Sequence, residues 1–249
     1  MIPIKSKEEI ALMREAGQIV AYVLREIEKR IKPGVSGKEL DNYAEEIILS
    51  KGAQPVFKGH KGFPGSICIS INEVIVHGVP SDRKIEEGDI VGVDVGVRYK
   101  GYCADGAKTL AIGEVSSQAK RLLACTERAL AEGIRKARAG GHLSDISWAI
   151  QSFVEKQGFS VIRKFVGHGI GKEIHEEPRI PNFGRPHQGP LLKEGMVFCI
   201  EPMVCTGDYE VEIEADGWTA RTRDRSLAAH FEHMVVINKG EAEILTRGE

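Results

Sequence analysis

Long apolar runs are missing from this 249-residue chain: nothing approaches 18 uninterrupted apolar residues, and the N-terminal MIPIKSKEEI lacks the apolar core of a secretory signal. Neither a membrane span nor an export signal is expected. A surplus of charge is missing as well. Lys and Arg number 34 against 36 Asp and Glu, a net of −2 with no local basic run. That leaves no electrostatic footprint for nucleic acid or an anionic membrane. Cys68, Cys103, Cys125, Cys199 and Cys205 form an odd set without CxxC spacing, mostly in apolar runs. Reduced thiols in a cytoplasmic protein are therefore expected, and a structural zinc cluster is not. No GxxxxGKS/T and no complete GxGxxG occurs, so a phosphate loop is not expected. What remains, 42% apolar and 28% charged residues, is the composition of a soluble globular chain that can bury a core as one large domain or two small ones.

Local patterns place the elements. Ser6-Lys7-Glu8-Glu9 is a capping box, followed by apolar Ile10, Met13, Ala16, Val20, Val23, Ile27 and Ile31. This predicts an amphipathic helix ending at Pro33-Gly34. Ser36-Gly37-Lys38-Glu39 is a second box and opens a helix to about Lys51. Strand and loop follow over 57–80. A hairpin is then predicted, with strands Asp89 to Val97 and Tyr102 to Leu110 around Lys100-Gly101. Helices are expected over about Gln118 to Ala137 and Asp145 to Gln157. A strand into VGHGIGKEIHEEP, a Pro/Gly-rich loop over 176–190 and further strands complete the chain.

The order helix, helix, strands occurs twice, with matching spacings. Gly34 and Gly52 recur as Gly140 and Gly158 at an offset of 106, and Glu87-Gly88 with Asp94 recurs as Glu194-Gly195 with Glu201 at 107. EGDIVGVD and EGMVFCIE then read as the same strand in two pseudo-symmetric halves of one domain, with Asp94 and Glu201 near a shared axis.

The acids within apolar strands need an explanation. Asp94 and Asp105 lie 11 residues apart across the hairpin, opposite one another or one pair removed, on one face. Directly opposed side chains have Cβ atoms about 4.5–5.5 Å apart. Two carboxylates that close repel, and one takes up a proton unless a divalent cation lies between them. Asp105 alone, in Ala104-Asp105-Gly106, reads as a turn residue; the pair together reads as a metal site. Glu201 in MVFCIEP, Glu232 in HFEHMVVI and His168 in VGHGIG extend the set. Four acids and one imidazole suit Mn, Fe, Co or Zn. Five ligands exceed what one catalytic zinc takes from protein, so two cations and metal-assisted hydrolysis are expected. The bond cleaved is not readable from these residues.

The chain also resembles the type I methionine aminopeptidases, in order through MREAGQIVA, KPGVSGKELD, SICISINEVIVHGVP, GDIVGVDVG, VGHGIGKEIHEEP, EGMVFCIEPMV and DGWTARTRDRSLAAHFEH. The resemblance implies the α/β pita-bread fold: a pseudo-two-fold repeat with a curved antiparallel sheet and flanking helices. It implies a single catalytic domain over 1–249, with halves of about 1–115 and 116–249. The family's metal ligands fall on Asp94, Asp105, His168, Glu201 and Glu232, with Asp105 and Glu232 bridging two cations (Co, Mn, Fe or Zn). Asp94 completes one site; His168 and Glu201 complete the other. Glu201 is implied as general base and acid. His77 matches a residue contacting the substrate near the scissile amide, and His175 one that stabilises the tetrahedral intermediate. From the residues alone both read as loop histidines. A methionine pocket is implied at Phe63, Cys68 and Trp218, with Phe57 and His60 nearby.

Some positions depart from the family. His60 and Ile174 stand where aromatics are frequent, which predicts a less aromatic pocket wall. Ala104 and Gly106 replace other small residues around Asp105. No long N-terminal extension is expected, and the 30 residues between Glu201 and Glu232 leave no room for the type II insertion. The activity implied is removal of the initiator methionine from nascent polypeptides, with a small second residue preferred. A cytoplasmic monomer is expected, with the ribosome as a candidate contact and neither nucleic acid nor membrane as a partner. An X-Pro aminopeptidase or prolidase is the rival, opposed by the flanks VHGVP and DGWT. A non-catalytic binding member is opposed by the complete ligand set and both histidines.

Overall fold

A computed structural model describes residues 2–248. Its helices are α1 (Lys7–Arg30), α2 (Gly37–Ser50), α3 (Ser117–Lys136) and α4 (Leu143–Lys156). The strands are β1 (Gln54–Pro55), β2 (Cys68–Ile71), β3 (Val74–Val76), β4 (Ile90–Tyr99), β5 (Tyr102–Ala111), β6 (Ser160–Val161), β7 (Gly167–Gly169), β8 (Glu176–Ile180), β9 (Val197–Ile200), β10 (Met203–Cys205), β11 (Val211–Ile213), β12 (Ala220–Thr222), β13 (Ala228–His230), β14 (Glu232–Val236) and β15 (Glu243–Ile244). The main sheet has nine strands in the order β1-β4-β5-β14-β9-β7-β8, with β2 on β4 and β15 on β14; every pair is antiparallel. Two three-stranded sheets, β13-β10-β6 and β11-β12-β3, stand beside it.

Both predicted capping boxes form. The Ser6 and Ser36 hydroxyls accept from the Glu9 and Glu39 N–H groups, and each glutamate side chain accepts from its serine N–H. A third helix start went unread. The Asp145 carboxylate accepts from the His142 N–H at 2.9 Å, so α4 begins at Leu143 rather than Asp145. The hairpin turns at Lys100 and Gly101, both with positive φ (48° and 85°), as the tightest two-residue connection requires. The expected loop over 176–190 needs correcting. Its first five residues form β8, because Pro178 and Ile180 are buried while Glu177 and Arg179 point outward. A proline is tolerated there since β8 is an edge strand.

Alternation decides which face carries the acids. Val91, Val93, Val95 and Val97 pack with α1 and α2, which puts Asp94 on the other face of β4. Phe198, Ile200, Val235 and Ile237 pack with α3 and α4, leaving Cys199, Glu201, Glu232 and Met234 on the opposite side. Each helix pair thus backs its strands and leaves a carboxylate facing away.

Candidate active site

Register brings the acids together. Cys68 pairs with Asp94, Asp94 with Ala107, and Ala107 with Glu232, so one row crosses four strands on a single face. Asp105 sits two residues from Ala107 on β5, opposite Gly96, and so diagonal to Asp94. The small Ala107 leaves the middle of this row open. Ile200 pairs with His233, which carries Glu201 alongside Glu232 as β9 ends. On the far side His168 pairs with Cys199. The glycines around His168 permit that position. A Cβ on Gly167 would meet the Cys199 carbonyl, and one on Gly169 the Glu177 carbonyl, so β7 is squeezed between β9 and β8.

The twelve residues singled out from the sequence all line one cavity of roughly 610 Å³. Asp94, Asp105, His168, Glu201 and Glu232 form one wall; His77, His175, His60, Phe57, Phe63, Cys68 and Trp218 line the rest. Asp105, Glu232 and His168 are buried, and Asp94 and Glu201 half-buried. His168 Nε2 is 3.5 Å from Glu201 Oε1 and 3.9 Å from Asp105 Oδ2. Phe63 and Trp218 meet edge to face at 5.3 Å. His175 meets His168 edge to face at 4.5 Å and lies tilted to His60 at 5.7 Å, while His77 meets Phe165 edge to face at 5.2 Å. Ile174 does not form part of the pocket wall: it is buried in the core with α1 and α2.

The electrostatics call for cations. Burial raises the carboxyls of Asp105, Glu201 and Glu232 well above the usual range, and their mutual repulsion adds to it. Asp94 is also raised by burial, with His230 and Asp105 opposing. Asp94 Oδ1 and Glu232 Oε1 are buried without a hydrogen-bond partner. Among the described residues no lysine or arginine is paired with any of the four. Burial lowers His168 to about 3, so the ring is neutral, and its Nδ1 lies 2.9 Å from the Gly169 carbonyl. With the proton on Nδ1, Nε2 is left with a free lone pair facing the acids, as in a histidine that ligates metal. Ligand atoms of Asp105, His168, Cys199 and Glu232 fall within 4.8 Å of one another. Orphaned oxygens, repelling carboxyls and an oxygen-rich donor set fit divalent cations.

Supporting contacts went unread in the sequence. Asp41 on α2 accepts from the Ser66 and Ile67 N–H groups at 2.7 and 2.9 Å, fixing the loop that leads to Cys68. Asp216 accepts from the Trp218 and Thr219 N–H groups and the Thr219 hydroxyl, holding the indole's turn. The Cys199 Sγ lies within 4.8 Å of a Glu232 carboxylate oxygen, and the thiol works against the rise of that carboxyl. His230, 4% exposed, brings its Nε2 to 3.5 Å from Glu201 Oε2. Its spacing of two from Glu232 was the available signal, since strand residues two apart share a face. His77 has a positive φ of 58°, which is uncommon for a residue with a side chain and concentrates at functional sites.

A helix-backed antiparallel sheet carrying this wall of acids defines a metal-dependent hydrolase. Residues 11–239 match metallopeptidase family M24, and the chain belongs to that family. It is similar to methionine aminopeptidase 1 of Bacillus subtilis, 49% identical over 247 residues that cover 99% of this chain and 100% of that protein. It is also similar to the crystal structure of methionine aminopeptidase from Rickettsia prowazekii, with a TM-score of 0.98, 42% identity and coverage of 99% and 100%. A prolidase from Pyrococcus furiosus shares the fold more distantly, with a TM-score of 0.81 and 26% identity over 99% of this chain and 66% of that one.

Proposed function

We infer that the chain removes methionine from the N-terminus of polypeptides by metal-dependent hydrolysis. The observation that carries this reading is the meeting, in one cavity, of a carboxylate cluster with a recess of Phe57, Phe63, Cys68 and Trp218. An unbranched thioether side chain suits an aromatic-and-thiol recess. Asp94, Asp105, His168, Glu201 and Glu232 would hold two divalent cations, with Mn, Fe, Co and Zn as the candidates. When bound, such cations polarise the scissile carbonyl and acidify the attacking water.

The chain's own groups do the rest. Glu201 accepts the proton from water and delivers it to the leaving amine, a general base that becomes a general acid. His175, exposed along one edge, is pushed down to about 4 by partial burial and by His60 and Lys61. At neutral pH it is therefore an uncharged N–H donor to the developing oxyanion. His77, also held near 4 by burial and by its histidine neighbours, orients the peptide. The substrates are the N-termini of nascent chains with a small second residue, met in the cytoplasm by a monomer, with the ribosome as a candidate contact.

One catalytic domain of two pseudo-symmetric halves, about 1–115 and 116–249, frames this site. Support comes from two helix pairs, each ending in a 14-residue helix, ahead of the strands with Asp94 and Glu201. Chelator-stripped protein should release no methionine from Met-Ala-Ser, regain release with Mn²⁺ or Co²⁺, and leave an Ala-Pro peptide untouched. Cleavage of Ala-Pro in preference would sink the reading in favour of the X-Pro enzyme.

A further inference from the structure

One side chain faces the carboxylate cluster without a partner or a role. His230 ends β13, and its backbone is fixed to β5: the Thr109 hydroxyl donates to the His230 carbonyl at 2.8 Å and accepts from its N–H at 3.0 Å. The ring is buried and is not among the residues that line the cavity. Its Nε2 lies 3.5 Å from Glu201 Oε2 and 4.0 Å from Glu232 Oε2, and makes no hydrogen bond with either. A buried polar nitrogen left unpaired carries a desolvation cost. Glu232 already has the Cys199 thiol beside it, with Sγ within 4.8 Å of a carboxylate oxygen. Glu201 is held only through its backbone, where Asn182 donates to its carbonyl at 2.9 Å. Among the described residues nothing else hydrogen-bonds its carboxylate.

We propose that His230 is a positioning residue whose Nε2–H donates to Glu201 Oε2 and holds that carboxylate with Oε1 turned to the cavity. An approach of about 0.5 Å brings the pair to ordinary N–H···O separation. His168 is 3.5 Å away on the Oε1 side, so Glu201 is flanked by imidazoles at both oxygens, one with a free lone pair and one a donor. Anchoring Oε2 keeps the Oε1 lone pairs available for a cation and for proton transfer. The role given to Glu201 rests on the function inferred above; the anchoring itself does not.

The test uses the full chain, stripped of metal and reloaded, with His230→Leu and His230→Gln. The leucine removes the donor, and the glutamine amide still reaches the same oxygen. His230→Leu is expected to lower kcat on Met-Ala-Ser about 10- to 100-fold with KM within about twofold, as loss of partners behind metal ligands does. Co²⁺ affinity, measured by calorimetry without peptide, should weaken by about the same factor. His230→Gln should bring both back to within about threefold of the parent. Melting of the metal-free proteins establishes that each variant folds. If the leucine variant does not, His230→Asn, whose amide falls short of Glu201, replaces it and should match the leucine result. A folded Leu or Asn variant with parental kcat and Co²⁺ affinity overturns the proposal. A folded Gln variant as impaired as Leu overturns it too. Should the parent release no methionine, the functional reading fails while Co²⁺ binding still decides the role of His230.

Discussion

Glu201 illustrates how one residue answers to two demands. It sits where an apolar strand ends, half-buried beside Asp94, with burial and that neighbour both opposing its charge. Glu201→Gln removes a proton acceptor while keeping shape. Turnover should fall about 10²- to 10⁴-fold, mostly in kcat, whereas the metal-free variant should melt no lower than the parent. Near-normal kcat would remove Glu201 from proton transfer. Trp218 tests the recess in the same way. Truncating an aromatic that packs edge-on against Phe63 costs about 1–3 kcal/mol of contact. Trp218→Ala should therefore lower kcat/KM for methionyl peptides about 10- to 100-fold through KM. A drop confined to kcat would contradict a binding role. At this scale the sequence was readable where chemistry was out of place, as with acids in apolar strands. It was unreadable where meaning came from distant partners. Phe63 and Trp218 lie 155 positions apart, and only the family resemblance joined them. His230 carried a weak face signal, and nothing local named Glu201 as its neighbour.

Elements became legible in proportion to how local their causes were. Both serine capping boxes and the Lys100-Gly101 turn were read directly, because each involves residues three or fewer apart. β8 was not, since a Pro-containing edge strand exists only by pairing with β7. That pairing also sets the cost of Gly169→Ala, whose Cβ would collide with the Glu177 carbonyl. Backbone cannot yield as a side-chain end can, so a loss of about 1–3 kcal/mol in urea unfolding is expected. Displacement of His168 should reduce metal affinity with it. Unchanged stability would show that β8 is free to move. A second element-level device is Asp89 at the start of β4. Burial opposes its charge, but Arg83 through two contacts at 3.0 and 3.2 Å, the Glu86 N–H and Asn72 outweigh it and hold the carboxyl below its ordinary value. A depressed acid stabilises the fold above its unfolded pKa, and that contribution disappears as pH falls through the folded value. The parent should therefore lose stability below about pH 4 more steeply than Asp89→Asn, which is already weaker at pH 7 by about 1–3 kcal/mol. Parallel acid profiles would show that the pair contributes nothing.

For the whole molecule, stability and metal are one equilibrium. Asp105, Glu201 and Glu232 are raised by burial and mutual repulsion, and Asp94 by burial, so the metal-free native state holds protons that the unfolded chain releases near pH 4. The sign is opposite to that of Asp89. Where the native state binds more protons, unfolding becomes easier as pH rises, so metal-free protein should lose stability between about pH 5 and 8. Cations compete with those protons, so affinity increases over the same range and binding releases acid. At 100 times its dissociation constant a metal that binds only the folded state adds about 2.7 kcal/mol. Melting scans with and without Co²⁺ should thus show a gap in Tm that widens from pH 5 to 8, and heats of binding that differ between buffers in proportion to their ionisation enthalpies. A gap independent of pH would mean that the acids are already ionised without metal. Asp94 and Asp105 would then need another cation, and the row from Cys68 to Glu232 would no longer be explained by the ions it is built to hold.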